Sequence, residues 1–244
     1  MTIVEHLEEL RTRLVVSLVA IAVASVVGFL FFDQIFELLL RPYRLALEQL
    51  PASSRPPGSL GEGNLIYSSP LDPFLTRLKL GFFSGLMLAL PVVLYQLWRF
   101  ITPGLSKRER RLGIPFVLSS VVLFAGGVAF AYYTIPRGLS FLISLGSESL
   151  VPLLTVDRYF NFLIFLVLGF GLSFEFPLVM IFLAAARVIS SSQMRQWRRY
   201  AYFGALVFAA VITPTQDPYT MLLMGIPLIL FYEGAIIVAR LFKR

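Results

Sequence analysis

The sequence predicts an all-α integral membrane protein with six transmembrane helices and both termini on the cytoplasmic side. Three observations carry this. Hydrophobic residue types make up 57% of the 244 residues and charged types only 14%, with a mean hydropathy of +0.80, whereas a soluble domain carries about a quarter charged residues. Six apolar runs reach or approach the roughly 20 residues needed to cross a hydrocarbon layer of about 30 Å. Lys and Arg are also distributed unequally between the loops that join those runs, which sets orientation.

The runs cover residues 14–32, 80–101, 112–135, 159–186, 200–212 and 219–241. The first begins like a secretory signal, with Ala22-Val23-Ala24 before Ser25, but its apolar character continues through Phe32 and it reads as a retained anchor. Residues 33–78 form an external cap: an amphipathic piece at 34–50, then a stretch at 51–70 rich in Pro, Gly and Ser. The fifth run is too short for a full-thickness bilayer, so a thin, water-indented flank is expected beside it. Fourteen of the 21 Lys and Arg residues, among them Arg11, Arg13, Arg99, Lys107, Arg198 and Arg240, fall in the loops and ends on one side. That side is cytoplasmic by the positive-inside rule. No long soluble domain and no internal repeat is visible, and residues 1–244 read as one polytopic domain.

The formal charge of +7 does not indicate nucleic acid, because the bases lie between apolar runs and build no continuous face. Cysteine is absent and His6 is the only histidine, which excludes disulfides, Fe–S clusters, bis-histidine haem and ordinary zinc sites. His6-Leu7-Glu8-Glu9-Leu10 lacks the second histidine of H-E-x-x-H, and no Walker A, G-x-S-x-G or G-x-G-x-x-G string occurs. No enzymatic activity, cofactor or metal is expected.

Four places in the chain hold polar groups that an apolar protein has to account for. In the N-terminal helix, Thr2 and Glu5 have capping-box spacing, and Glu9 reaches Arg13 at i, i+4 on the face opposite Ile3, Leu7, Leu10 and Leu14. Glu9 reads either as a solvated ion-pair partner or as a binding group. Glu109 stands among Lys107, Arg108, Arg110 and Arg111. It reads first as the second half of a Ser106-x-x-Glu109 capping box, and otherwise as a receptor for a guanidinium beside Trp98 and Phe100. Glu175 lies about 18 Å from the helix end near Arg187. Its ionised form is costly in lipid, so it faces a partner or a wet cavity, or is protonated. Gly169 and Gly171 thin the same helix, and Pro177 bends it. Thr213-Pro214-Thr215-Gln216-Asp217-Pro218 brings polar backbone near membrane depth, and Glu233 lies inside the last span.

These strings together resemble the TatC family, the polytopic subunits of twin-arginine protein translocases. His6-Leu7-Glu8-Glu9-Leu10-Arg11-Thr12-Arg13-Leu14 resembles the family's H-L-x-E-L-R-x-R-L signature. Residues 95–105, with Trp98, Phe100, Pro103 and Leu105, are similar to its Y-Q-x-W-x-F-x-x-P-x-L string. Phe170-Gly171-Leu172-Ser173-Phe174-Glu175-Phe176-Pro177 resembles its F-G-x-S-F-E-x-P motif.

The resemblance implies a concave, glove-like bundle in the cell membrane that binds twin-arginine signal peptides of folded cargo. It implies transport driven by the protonmotive force, the single-span partners TatA and TatB, and a homo-oligomeric receptor complex. Glu9, Arg11, Phe100, Leu105 and Glu109 fall on its signal-binding positions. Glu175 falls on its intramembrane glutamate and Pro42 on a prolyl position in the first external loop. Thr213, Thr220 and Glu233 lie where the family has polar partner contacts, although this chain departs from the usual T-P-P-D-x-x-S-Q and has Thr220 or Met221 in place of a glutamine. The competing expectations are a proton-coupled small-molecule transporter that uses Glu175 as carrier, and a purely structural assembly factor.

Overall fold

The computed structural model describes residues 3–50, 65–101, 113–145, 154–212 and 218–241. Helix α1 (Ile3–Leu30) runs into α2 (Phe32–Glu48) through Phe31 alone. Then follow α3 (Asp72–Ile101), α4 (Gly113–Ser144), α5 (Val156–Ala185), the short α6 (Ser191–Gln196), α7 (Arg198–Ile212) and α8 (Pro218–Leu241). Among the described residues five helices, α1, α3, α4, α5 and α8, are long and apolar enough to cross a membrane. The sixth apolar helix is α7. Its 15 residues span only about 22 Å at the helical rise, so its brevity survives folding. With 24 residues, α8 is the shortest of those five.

Helix α2 lies outside these spans and is amphipathic, as residues 34–50 predict. Leu39, Leu40, Tyr43, Ala46 and Leu47 form its buried face, at the three- and four-residue spacing of one helix side. Pro42, expected in the first external loop, sits inside this helix and is fully buried. The proline has no N–H for the Leu38 carbonyl and its ring crowds that oxygen. Outside donors replace the lost one. The Tyr132 hydroxyl of α4 donates to the Leu38 carbonyl at 2.7 Å, and the Tyr159 hydroxyl of α5 donates to that of Leu39 at 2.6 Å. Tyr43 stacks at a tilt on Tyr159, ring centres 5.4 Å apart, and burial pushes the Tyr43 hydroxyl pKa up. Nearby, Lys79 of α3 bonds Asp157 at 2.5 Å and Asn161 at 2.7 Å on α5.

Small residues set the closest helix contacts. A Cβ on Gly85 of α3 would lie 2.2 Å from the Ser25 hydroxyl of α1, and one on Gly127 of α4 would lie 2.5 Å from the Phe170 carbonyl of α5. Neither pair of helices could approach so closely with larger side chains. Apart from its seam with α3, α1 faces outward. Leu7, Leu10 and Leu14 are exposed, and only 11% of its apolar window is buried. The apolar stripe foreseen in the N-terminal segment therefore turns away from the protein, where lipid replaces a core. The polar face of Glu9 and Arg13 turns toward α3.

Candidate functional site

The N-terminal end of α1 lies beside the C-terminal end of α3, because the two helices are antiparallel. The start of α4 and the end of α5 join them there. Trp98 packs against Phe116 at 4.6 Å and Phe182 at 5.5 Å between ring centres. Gly113 opens α4 directly against this indole, since a Cβ there would fall 2.3 Å from its ring nitrogen. This aromatic floor lies at the end of the bundle where α1 carries Arg11 and Arg13 and α3 carries Arg99.

Glu9 projects over that end between α1 and α3. Its side chain is 15% exposed and that of Arg13 is 22% exposed, so the pair is largely withdrawn from solvent. Arg13 reaches one Glu9 carboxylate oxygen with Nη2 at 3.2 Å and donates from Nη1 to the Gln96 amide oxygen of α3 at 3.4 Å. The other Glu9 oxygen and the Arg13 Nε are buried with no hydrogen-bond partner among the described residues. One turn beyond, the His6 ring stacks on Phe100 at 4.4 Å with 14° between planes. Glu9, Arg13, Gln96, His6 and Phe100 thus form one continuous patch.

Arg11 does not join it. Two residues on from Glu9, it stands about 200° around the helix, is exposed, and lines a shallow groove with Glu8, Thr12, Val15 and Val16. Leu105, Glu109 and Thr213 lie outside the described residues, as do Thr2 and Ser106 of the two expected capping boxes.

Glu175 lies deeper in the bundle. Ser120 of α4 donates its hydroxyl to one carboxylate oxygen, while the other is buried and has no partner among the described residues. Ser120 follows Gly113 by seven residues, which places this contact about 10 Å in from the aromatic floor. The glycines of α5 do thin it as expected: a Cβ on Gly171 would strike the Phe124 ring at 2.6 Å and one on Gly169 the Ile212 side chain at 2.2 Å.

Glu233 is also partnered from another helix. Arg198 donates to it at 2.5 Å and the Tyr202 hydroxyl at 2.5 Å, both from the start of α7. Next to it Tyr232 donates to the Met194 carbonyl of α6 at 2.7 Å. Thr220 is buried in the first turn of α8, beside Thr134 and Gly138. It is about 20 Å along the helix from Glu233. Thr220 and Pro42 lie toward the end opposite Glu9, so the candidate positions divide between the two ends and the middle. Among the described residues no group of three His, Asp or Glu side chains could hold a metal ion.

Gln96, Ser120, Arg198 and Tyr202 escaped sequence reasoning. Gln96 and Ser120 carried the one available signal, a polar side chain inside an apolar run. Which neighbouring helix each would face is a property of packing alone.

Residues 5–227 match the family described as Sec-independent protein translocase protein (TatC). A relative of that name from Frankia casuarinae is 45% identical over 100% of this chain and 67% of its own length. One from Aquifex aeolicus is 40% identical over 100% of this chain and 97% of its own. Against a third, from Corynebacterium kroppenstedtii, the chain spans 62% of the relative's length at 39% identity. A crystal structure of the twin-arginine translocase receptor TatC superimposes with a TM-score of 0.81 at 38% identity, covering 98% of this chain and 100% of that one. With these matches running along nearly its whole length, the chain belongs to the TatC family of Sec-independent protein translocase proteins.

Proposed function

We propose that this protein is the signal-peptide receptor of a twin-arginine translocase, inserted with both termini in the cytoplasm. The observation that supports it best is the Glu9 carboxylate. It is held at the basic end between two helices, and one of its oxygens is buried without a partner among the described residues. Two adjacent arginines in an export signal carry charge that cannot enter lipid. They stop at the membrane surface, where one guanidinium meets Glu9 and the other Glu109. The apolar part of the signal continues over Phe100 and Leu105 along the exposed flank of α1. Arg11, on another face of α1, contacts the approaching peptide or lipid headgroups outside this patch.

Glu175, Thr220 and the Thr213 turn serve contacts with the single-span partners TatA and TatB within an assembly of several copies, and Glu233 supports α7 for the same purpose. Pro42 shapes the cap. Energy comes from the protonmotive force. Family membership favours this reading over a proton-coupled small-molecule transporter.

The test is crosslinking of a synthetic twin-arginine signal peptide, and of its twin-lysine analogue, to residues 106–111 of the membrane-embedded protein. Preference for arginine is expected from its bidentate fork. Glu109→Ala abolishes capture while the protein still inserts, and Glu109→Gln, which keeps a capping group, abolishes it too. Unchanged capture in either variant refutes the role given to Glu109.

A further inference from the structure

The receptor carboxylate is already occupied by a guanidinium belonging to this chain. Resting on the receptor reading above, we infer that Arg13 is a built-in placeholder for a signal arginine: it holds Glu9 until a peptide displaces it onto Gln96. The contact has the geometry of something made to be replaced. Its 3.2 Å length exceeds the roughly 2.7–2.9 Å of a good charge-assisted bond. It engages one carboxylate oxygen where an optimally placed guanidinium engages two, and it leaves the second oxygen and the Arg13 Nε buried without partners among the described residues.

An incoming arginine is free of this constraint. Arg13 is anchored on the same helix four residues away, so its fork meets Glu9 along the helix. A guanidinium arriving from outside can approach the carboxylate in plane and satisfy both oxygens. The exchange also gives the displaced Arg13 somewhere to go. Its Nη1 is already aimed at the Gln96 amide oxygen at 3.4 Å, and Gln96 is itself buried on the helix opposite.

While the site is empty, the placeholder keeps an otherwise bare carboxylate neutralised in a partly dehydrated seam, where an unpaired charge is costly. It also raises the threshold for capture, because a single lysine offers a point charge in place of the bidentate fork needed to displace it. Arg13 is therefore a specificity-determining residue and Gln96 a positioning residue.

The experiment measures binding of a fluorescent twin-arginine signal peptide and its twin-lysine analogue to the full chain in nanodiscs. The variants are Arg13→Met, Gln96→Leu, their combination, and Glu9→Gln. With the competitor gone, Arg13→Met binds the arginine peptide more tightly, by up to about fivefold, the range expected for loss of one ion pair. The lysine peptide gains more than the arginine peptide, so discrimination falls. Gln96→Leu weakens arginine-peptide binding in the native background and has no effect once Arg13 is Met.

If Arg13 merely supports the α1 helix or orients Glu9, Arg13→Met binds equally or less well; that result, with Glu9→Gln abolishing binding, overturns the placeholder and leaves the receptor standing. Arg13→Gln repeats the measurement with a polar side chain in case Arg13→Met fails to insert. Undiminished binding in Glu9→Gln overturns both.

Discussion

The Tyr132 hydroxyl donates to the Leu38 carbonyl at 2.7 Å, the carbonyl that Pro42 leaves without its helical N–H. Proline and tyrosine are therefore two halves of one device, in which α2 gives up an internal bond and gains an external one that fastens it to α4. Tyr132→Phe removes a hydrogen bond worth about 1 kcal/mol net, and a lower thermal midpoint in detergent reports it. In a Pro42→Ala background the Leu38 carbonyl regains its own donor, and Tyr132→Phe then costs much less. Additive losses in that double-mutant cycle would separate the two residues.

The Glu175 carboxylate has one bond, from Ser120, and one buried oxygen without a partner. Replacing Ser120 with Ala removes the bonded donor and leaves both oxygens unsatisfied, at a cost of about 1–3 kcal/mol. Glu175→Gln relieves this, since the amide needs no counter-charge and its oxygen still accepts from Ser120. The order expected in thermal unfolding is therefore Ser120→Ala least stable, with Glu175→Gln equal to or above the native chain. Loss of export in Glu175→Gln without loss of stability assigns the carboxylate to transport.

Glycines that look alike in the sequence differ in what surrounds them. At Gly127 a Cβ would collide with backbone, the Phe170 carbonyl at 2.5 Å, which cannot swing aside. Gly127→Ala forces α4 from α5 and costs about 1–3 kcal/mol, the range for overpacking. At Gly204 in α7 a Cβ meets nothing within 4 Å, and Gly204→Ala stabilises by up to about 1 kcal/mol through helix propensity. Parallel unfolding curves of the two variants check both signs.

The spans, the short α7 and the amphipathic α2 were all legible in the sequence, because each rests on apolar periodicity and length measured against a bilayer. The Glu9–Arg13 pair was legible too, since i, i+4 spacing on one helix needs no tertiary knowledge. What stayed hidden were the partners on other helices. Ser120 and Glu175 are 55 positions apart, and nothing local distinguishes Ser120 from Ser119 beside it. Pro42 was legible as part of the amphipathic piece at 34–50, but the tyrosines that compensate for its missing N–H lie some ninety and more residues downstream. The outward turn of Leu7, Leu10 and Leu14 inverts the rule for soluble helices: with lipid as solvent, the polar stripe seeks the protein interior.

That inversion also governs Glu233, whose carboxylate accepts from Arg198 and Tyr202 at 2.5 Å each. Both donors come from the first turns of α7, the helix too short to cross a full-thickness bilayer. Two bonds onto α8 hold the end of that helix in place. The side chains are 42% and 30% exposed for Arg198 and Glu233, so the charge pair alone is screened and contributes at most about 1 kcal/mol. The Tyr202 hydroxyl adds a charge-assisted bond of about 1.5–3 kcal/mol. Tyr202→Phe should therefore destabilise the protein at least as much as Arg198→Met, and high salt should narrow only the Arg198→Met difference. Both variants should increase hydrogen exchange at the start of α7 and spare the Glu9 patch. Equal protection of α7 in native and variant chains would show that apolar packing, and not this pair of donors, positions the short helix.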